Sequence, residues 1–262
     1  MLGIFVQHLT VTVGITFAFI GLGVLIEFAY RRITPNLPSP SSSNRIANCK
    51  YAAVLLVFQG TIQLIYSVIL AMTMAPLSRP LFGARAGIPF ALLVTFIYSV
   101  LGDFLYYWFH RWQHSSRWLW PMHELHHEDE HVNVTSAFKF HWMDSMADYT
   151  LQVLPTLFLP HPLVSIPILG LLRVVRVTFE HLAIPLHLGP FNRLIASPAN
   201  HRIHHSKLPE HFNKNFAAVW PFWDVIFGTY HAPKDGEYPP TGLLSGKVNT
   251  SVKDALWGPL ND

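Results

Sequence analysis

Residues 86–127 read AGIPFALLVTFIYSVLGDFLYYWFHRWQHSSRWLWPMHELHH. The stretch changes character midway. Residues 86–109 carry a single charge, Asp103. They are long enough for a helix to cross a bilayer core, which takes about 20 apolar residues. From His110 the same chain turns into closely spaced histidines: His110, His114, His123, His126 and His127.

Two earlier stretches share the apolar character. Residues 9–30 hold one acid, Glu27, near their end, and residues 51–76 hold no charge. A core helix of a soluble protein seldom stays apolar on every face over such a length. Three membrane spans are therefore predicted. The first has no basic lead-in and no clear small-residue cleavage site, so it reads as a span and not as a secretory signal. Residues 31–50 carry Arg31, Arg32, Arg45 and Lys50 and no acid. The positive-inside rule puts that loop in the cytoplasm and the N-terminus outside, and the third span then returns the chain to the cytoplasm near Phe109. Residues 149–175 are apolar but interrupted at Pro155, Pro160, Pro162 and Pro167. They read as two half-depth helices, either a re-entrant hairpin or a short pair of spans. The chain from about residue 177 onward is polar enough for a cytoplasmic cap, and PSPSSSN at 38–44 is a linker.

Composition agrees. Of 262 residues, 51% are hydrophobic, 14% aromatic and only 13% charged, which excludes a disordered chain. One cysteine, Cys49, excludes an intrachain disulfide framework, a cysteine zinc site and an iron–sulfur cluster. A net charge of +3 from only 18 dispersed Lys and Arg argues against a nucleic-acid partner. The histidines number 16, more than the 15 acids, and all but His8 and His231 lie between His110 and His211.

Three boxes account for most of them: His110-Arg-Trp-Gln-His114, His123-Glu-Leu-His126-His127 and His201-Arg-Ile-His204-His205. On a helix, positions i, i+3 and i+4 share a face, so each box is expected to present its imidazoles in one direction. Pro121 and Pro198 suggest that boxes two and three each open a helix, with Ser197 as an N-cap before Pro198. Neutral imidazole is a good ligand for iron, zinc and copper. Eight such ligands exceed what one metal takes, so two metals are implied. Box two also reads as His123-Glu124-x-x-His127, the zinc-protease helix with Glu as general base. Against that, box three repeats the histidines but has Arg202 in place of Glu124. A histidine-rich metal transporter is the other rival, but its ligands belong within spans near the midplane, and here they follow the third span.

With these residues the chain resembles the fatty acid hydroxylase/sterol desaturase superfamily of integral-membrane di-iron oxygenases, over roughly residues 100–231. The resemblance rests on Asp103, the three boxes, Leu119-Trp120, Asn133-Val-Thr135, Lys139-Phe-His141, Ser197-Pro198, Ser206, Asn215-Phe216 and Trp223-Asp-Val-Ile-Phe-Gly-Thr-Tyr230. It departs at Trp142, Asn213 and Ala217, which are not ligand positions. The resemblance implies two more ligands, His141 and His181, making ten: His110, His114, His123, His126, His127, His141, His181, His201, His204 and His205. His131, His161, His187, His211 and His231 match no part of the pattern and are read as surface or supporting residues.

The implied fold is all-α: a multi-pass membrane helical bundle carrying a cytoplasmic, histidine-lined dimetal cap. The implied organisation is N-terminal transmembrane helices over 1–100, a catalytic domain over 101–231 and a tail over 232–262. The implied activity is hydroxylation or desaturation of an unactivated C–H bond of a lipid such as a sterol or fatty acyl chain, using O2. Zinc has no redox chemistry, so an oxidative reaction calls for two iron ions. The acids Asp103, Glu124, Asp144, Asp148, Glu180 and Asp224 are expected to orient imidazole N–H groups. No dinucleotide fingerprint is present; Gly21-Leu-Gly23 lies within a span. Electrons are therefore expected from a separate donor, cytochrome b5 or a ferredoxin with its reductase. The expected location is the endoplasmic reticulum in a eukaryote or the inner membrane in a bacterium.

Overall fold

The computed structural model describes residues 2–74, 87–158, 165–249 and 251–258. Among these, regular structure is helical; the one β-type pairing is an isolated antiparallel bridge between Ser206 and Thr241. Three long helices come first: α1 (Leu2–Ile33), α2 (Ser42–Met74) and α3 (Ile88–Ser115). Two segments, Leu9–Ile33 and Ile88–Ser115, are long and apolar enough to cross a membrane. Only 17% and 33% of their most apolar windows are buried, which a soluble core helix would not tolerate. Leu22, Leu25 and Phe28 on α1 and Leu92, Leu93 and Phe96 on α3 are each more than half exposed. The second predicted span, 51–76, falls mostly in α2; its last two residues and the loop to residue 86 lie outside the described residues.

Short helices carry the polar half: α4 (Trp120–His127), α5 (Trp142–Phe158), α6 (Ser165–Glu180), α7 (Pro198–His204), α8 (Phe222–Phe227) and α9 (Val252–Trp257). The predicted hairpin at 149–175 corresponds to the end of α5 and most of α6. Pro160, Pro162 and His161 fall in 159–164, outside the described residues. The expected break at Pro155 is not observed, because α5 continues through it to Phe158. Proline costs a helix one N–H and one carbonyl clash a turn earlier, and so near the C-terminus little helix remains to lose. Pro167 sits in the first turn of α6, where its missing N–H has no intrahelical partner to lose.

Buried acids join the two halves. Glu27, the lone acid of the first apolar stretch, accepts the backbone N–H of Val134 and of Ala183, each at 2.8 Å, and pairs with Arg45. It thereby fastens α1 to the 3-10 turn Val134–Phe138 and to the loop after α6. Gly23 allows that approach: a Cβ there would stand 2.5 Å from the Val134 side chain. Around the contact, Ile20, Ala52, Leu56, Ala137, Phe138 and Val177 form an apolar core. Asp103 on α3 accepts the N–H groups of Ala218, Val219 and Trp220 at 2.8–3.0 Å. Asp224 accepts those of Phe216 and Ala217 at 2.8 and 2.9 Å. Both fix the segment 215–220 alongside α3.

Candidate metal centre

Four elements bring the boxes together. α3 carries His110 and His114 one turn apart, and α4 carries His123, His126 and His127. His181 follows the last residue of α6, and α7 carries His201 and His204 with His205 as its C-cap. The starts of α4 and α7 form as expected. Pro121 lies in the first turn of α4, and Ser197 caps α7 through a reciprocal pair with Asn200.

The boxes do not each face one way. His110, His114, His123, His127 and His204 form one group; His126, His181, His201 and His205 form another. Within each group one ring nitrogen of every residue lies within 4.8 Å of all the others. Helix geometry explains the division. Positions i and i+4 are about 40° apart around the axis, whereas i+3 and i+4 differ by about 100°. His123 and His127 therefore aim together and His126 aims elsewhere; His201 and His205 pair in the same way, with His204 set apart.

Contacts on the far ring nitrogen fix the aim. Nδ1 of His110 donates to the Phe216 carbonyl at 2.7 Å, and Nδ1 of His204 donates to the Lys214 carbonyl at 2.9 Å. Nδ1 of His181 donates to the Val177 carbonyl at 2.7 Å, and Nδ1 of His123 pairs with Asp144 Oδ2 at 2.9 Å. With Nδ1 carrying the proton, Nε2 holds a lone pair. Nε2 of His110 and of His123 nevertheless stand 3.0 Å apart. His127 Nε2 lies 3.2 Å from His123 Nε2, and in the second group His205 Nε2 lies 3.0 and 3.1 Å from its neighbours. Lone pairs as close as those of His110 and His123, whose Nδ1 atoms carry the proton, repel unless a cation lies between them. Nε2 of His114 and of His204 are buried with no hydrogen-bond partner, so they too are available as donors. This set of buried nitrogen donors fits two transition-metal ions.

Burial keeps the imidazoles neutral, as ligands must be. It pushes His204 and His181 down to about 3. Burial, reinforced by neighbouring imidazoles, holds His126, His127, His201 and His205 well below the ordinary value. Unfolded, these histidines take up protons below about pH 6.5; folded, His181 and His204 do so only near 3, and the others well below the ordinary value. Between those values the unfolded state binds more protons, so stability falls as pH falls. In metal-free protein these histidines are expected to lower the thermal midpoint as pH falls below about 6.5, against an opposite contribution from the buried Glu180 carboxyl, which burial raises to about 7. His181→Gln, which removes one such histidine, is expected to flatten the decline in a thermal scan across pH.

The structure gathers nine of the ten predicted ligands and leaves His141 out. Its Nε2 pairs with the Leu256 carbonyl at 2.9 Å, and its Nδ1 accepts the Met143 N–H at 3.3 Å. It docks α9, and neither nitrogen is free for a metal. Of the six acids expected to orient imidazoles, only Asp144 does so directly. Its second oxygen takes Gln113 Nε2 at 2.8 Å. Asp103 and Asp224 hold backbone instead, Asp148 pairs with Arg173, and Glu180 pairs with Arg176 at 2.9 Å. Glu124 pairs with Lys247 at 3.5 Å and belongs to neither histidine group, which counts against the protease reading. The carbonyls of Val177, Lys214 and Phe216 do the orienting that sequence reasoning gave to carboxylates. Replacing Asp144 by Asn is expected to lower metal affinity about 10–100-fold without unfolding the protein, as metal titration would show.

Apolar rings close around the histidines. Phe140 stacks on His126 with centroids 4.1 Å apart, and Phe216 packs against His110, His114 and His204 at 5.2–5.7 Å. A cavity touches both groups, lined among others by Tyr106, His110, His126, Phe140, Arg176 and His201.

The sequence model of the family described as Fatty acid hydroxylase matches residues 95–229. Human alkylglycerol monooxygenase is 30% identical over 133 residues, 51% of this chain and 29% of that protein. The ornithine lipid hydroxylase OlsE of Rhizobium tropici is 30% identical over 149 residues, 57% of this chain and 45% of that protein. The very-long-chain aldehyde decarbonylase GL1-7 of Oryza sativa subsp. japonica is 26% identical over 163 residues, 56% and 25% of the two chains. The chain thus spans less than half the length of these relatives. No solved structure matches it significantly. The matched segment covers more than half of the chain and contains both histidine groups, and the chain belongs to the fatty acid hydroxylase family.

Proposed function

We propose that the protein is a membrane-bound lipid monooxygenase with two iron ions, one held by each histidine group. The observation that carries this reading is the pair of converging, carboxylate-free groups of five and four histidines, all buried but the half-buried His114 and His201. Iron bound there supplies the one-electron redox chemistry that lets O2 attack an unactivated C–H bond. The balance is one O2, two electrons and two protons per C–H bond oxidised, giving an alcohol and one water. The electrons come from a separate donor protein. Hydroxylation is favoured over desaturation because two of the relatives are named as a monooxygenase and a hydroxylase of lipids.

The chain's own residues hold the imidazoles in their ligating tautomer and exclude bulk water. Phe216, Phe140 and Trp120 cover the rings, and Trp120 lies 5.1 Å from His114. The C–H bond to be oxidised is presented beside the small cavity that touches both groups. In this reading the histidines face the cytoplasm and residues 101–231 are the catalytic domain, which the apolar α1 and α3 support by holding the chain in the membrane.

Lipid profiling of a host with and without the gene, under isotopically heavy O2, tests the reading. A hydroxylated lipid carrying one heavy oxygen atom is expected only when the gene is present. An unchanged lipid profile, or a product whose oxygen comes from water, would overturn it.

A further inference from the structure

Two histidines left unassigned by the sequence pattern, His211 and His231, meet outside the two groups, together with Glu237. We propose that these three side chains form a separate cation site that takes one divalent transition metal of the zinc class. One ligand atom from each lies within 4.8 Å of the other two. His211 Nε2 stands 3.3 Å from Glu237 Oε1, and the two imidazole centroids are 4.7 Å apart. Around a tetrahedral ion with bonds of about 2.0–2.1 Å, neighbouring ligand atoms are about 3.3–3.4 Å apart. The His211–Glu237 pair already has that spacing, and the partly exposed His231 has room to complete it. Two imidazoles and one carboxylate suit zinc and its neighbours, whereas magnesium and calcium prefer oxygen alone. Water takes the fourth position.

The backbone under all three residues is tied down. His211, only 2% exposed, closes the 3-10 turn Pro209–His211, and its Nδ1 pairs with Ser206 Oγ at 2.9 Å. His231 exchanges two hydrogen bonds with the Asn215 side chain: its N–H donates at 2.8 Å and its carbonyl accepts at 3.1 Å. Asn215 also donates to the Asn200 carbonyl in α7 at 3.1 Å. The Glu237 N–H donates to the Lys234 carbonyl at 3.0 Å, closing a turn. The following residues lie on box three: the Arg202 guanidinium covers the Tyr238 ring at 3.4 Å, and Lys207 N–H donates to the Pro240 carbonyl at 3.0 Å. Ser206, which holds His211, directly follows the ligand His205. The cation therefore clamps residues 231–242 onto the helix that carries box three.

The test is zinc uptake by iron-loaded protein in detergent, with both metals counted after gel filtration. The wild type is expected to take up one zinc per chain with its iron retained. His231→Ala and Glu237→Gln are expected to lose that zinc and keep the iron, and zinc is expected to raise the thermal midpoint of the wild type alone. The proposal is overturned by wild-type protein that takes up no zinc, by zinc uptake matched by iron loss, or by variants that bind zinc as the wild type does. Protein purified without iron would overturn the oxygenase reading instead. The difference of one zinc between wild type and His231→Ala would still report on this site.

Discussion

Replacing His204 by Ala is expected to abolish lipid hydroxylation and to empty the five-histidine group of its metal. His204 Nε2 is buried without a hydrogen-bond partner, and its ring lies 4.4 Å from that of His110 and 4.8 Å from those of His114 and His127. The Lys214 carbonyl fixes its tautomer, so no other orientation competes. Loss of a group that merely orients a ligand costs about 10–100-fold in affinity or activity, and loss of the ligand itself exceeds that. Turnover below about one-hundredth of wild type, with metal content reduced at one group, is the expected result. His141→Ala is the control. It removes the contact with Leu256 and loosens α9, yet both metals are expected to stay.

Replacing Glu27 by Ala is expected to cost about 3–5 kcal/mol of stability, the usual consequence of removing one partner from a buried ionic network. The carboxylate is fully buried and serves three donors from three parts of the chain: Arg45, Val134 and Ala183. Without it, two backbone N–H groups and a guanidinium are left facing a gap in the core. Ala183 lies two residues beyond His181, so the four-histidine group is expected to lose metal affinity as well. Glu27→Gln keeps an acceptor and should lose markedly less. Thermal or denaturant midpoints of the detergent-solubilised variants, read beside their metal content, check both effects.

The boxes were legible because their spacing is helical and because the HxxHH pattern occurs twice, although half of the sixteen histidines lie outside them. Nine of ten ligand assignments rest on that spacing and on a single matching residue, His181. How boxes two and three each divide between the two histidine groups was not legible from composition, although the step of about 100° between adjacent residues contains the answer. His141 was expected with the others because its neighbours match a motif, yet it stands outside both groups, since its partner, the Leu256 carbonyl, lies 115 residues further along the chain. Backbone carbonyls such as those of Phe216 and Lys214 leave no trace in side-chain identity, so their part in aiming His110 and His204 appears only in three dimensions. Glu27 was visible as an exception in an apolar stretch, but its donors come from Val134 and Ala183, far off in sequence.

The claim that two all-histidine groups make this chain a di-iron oxygenase is tested most directly by counting metals in protein purified from iron-supplied cells. Two iron atoms per chain, one for each group, is the predicted result. A single zinc per chain with no iron would contradict it.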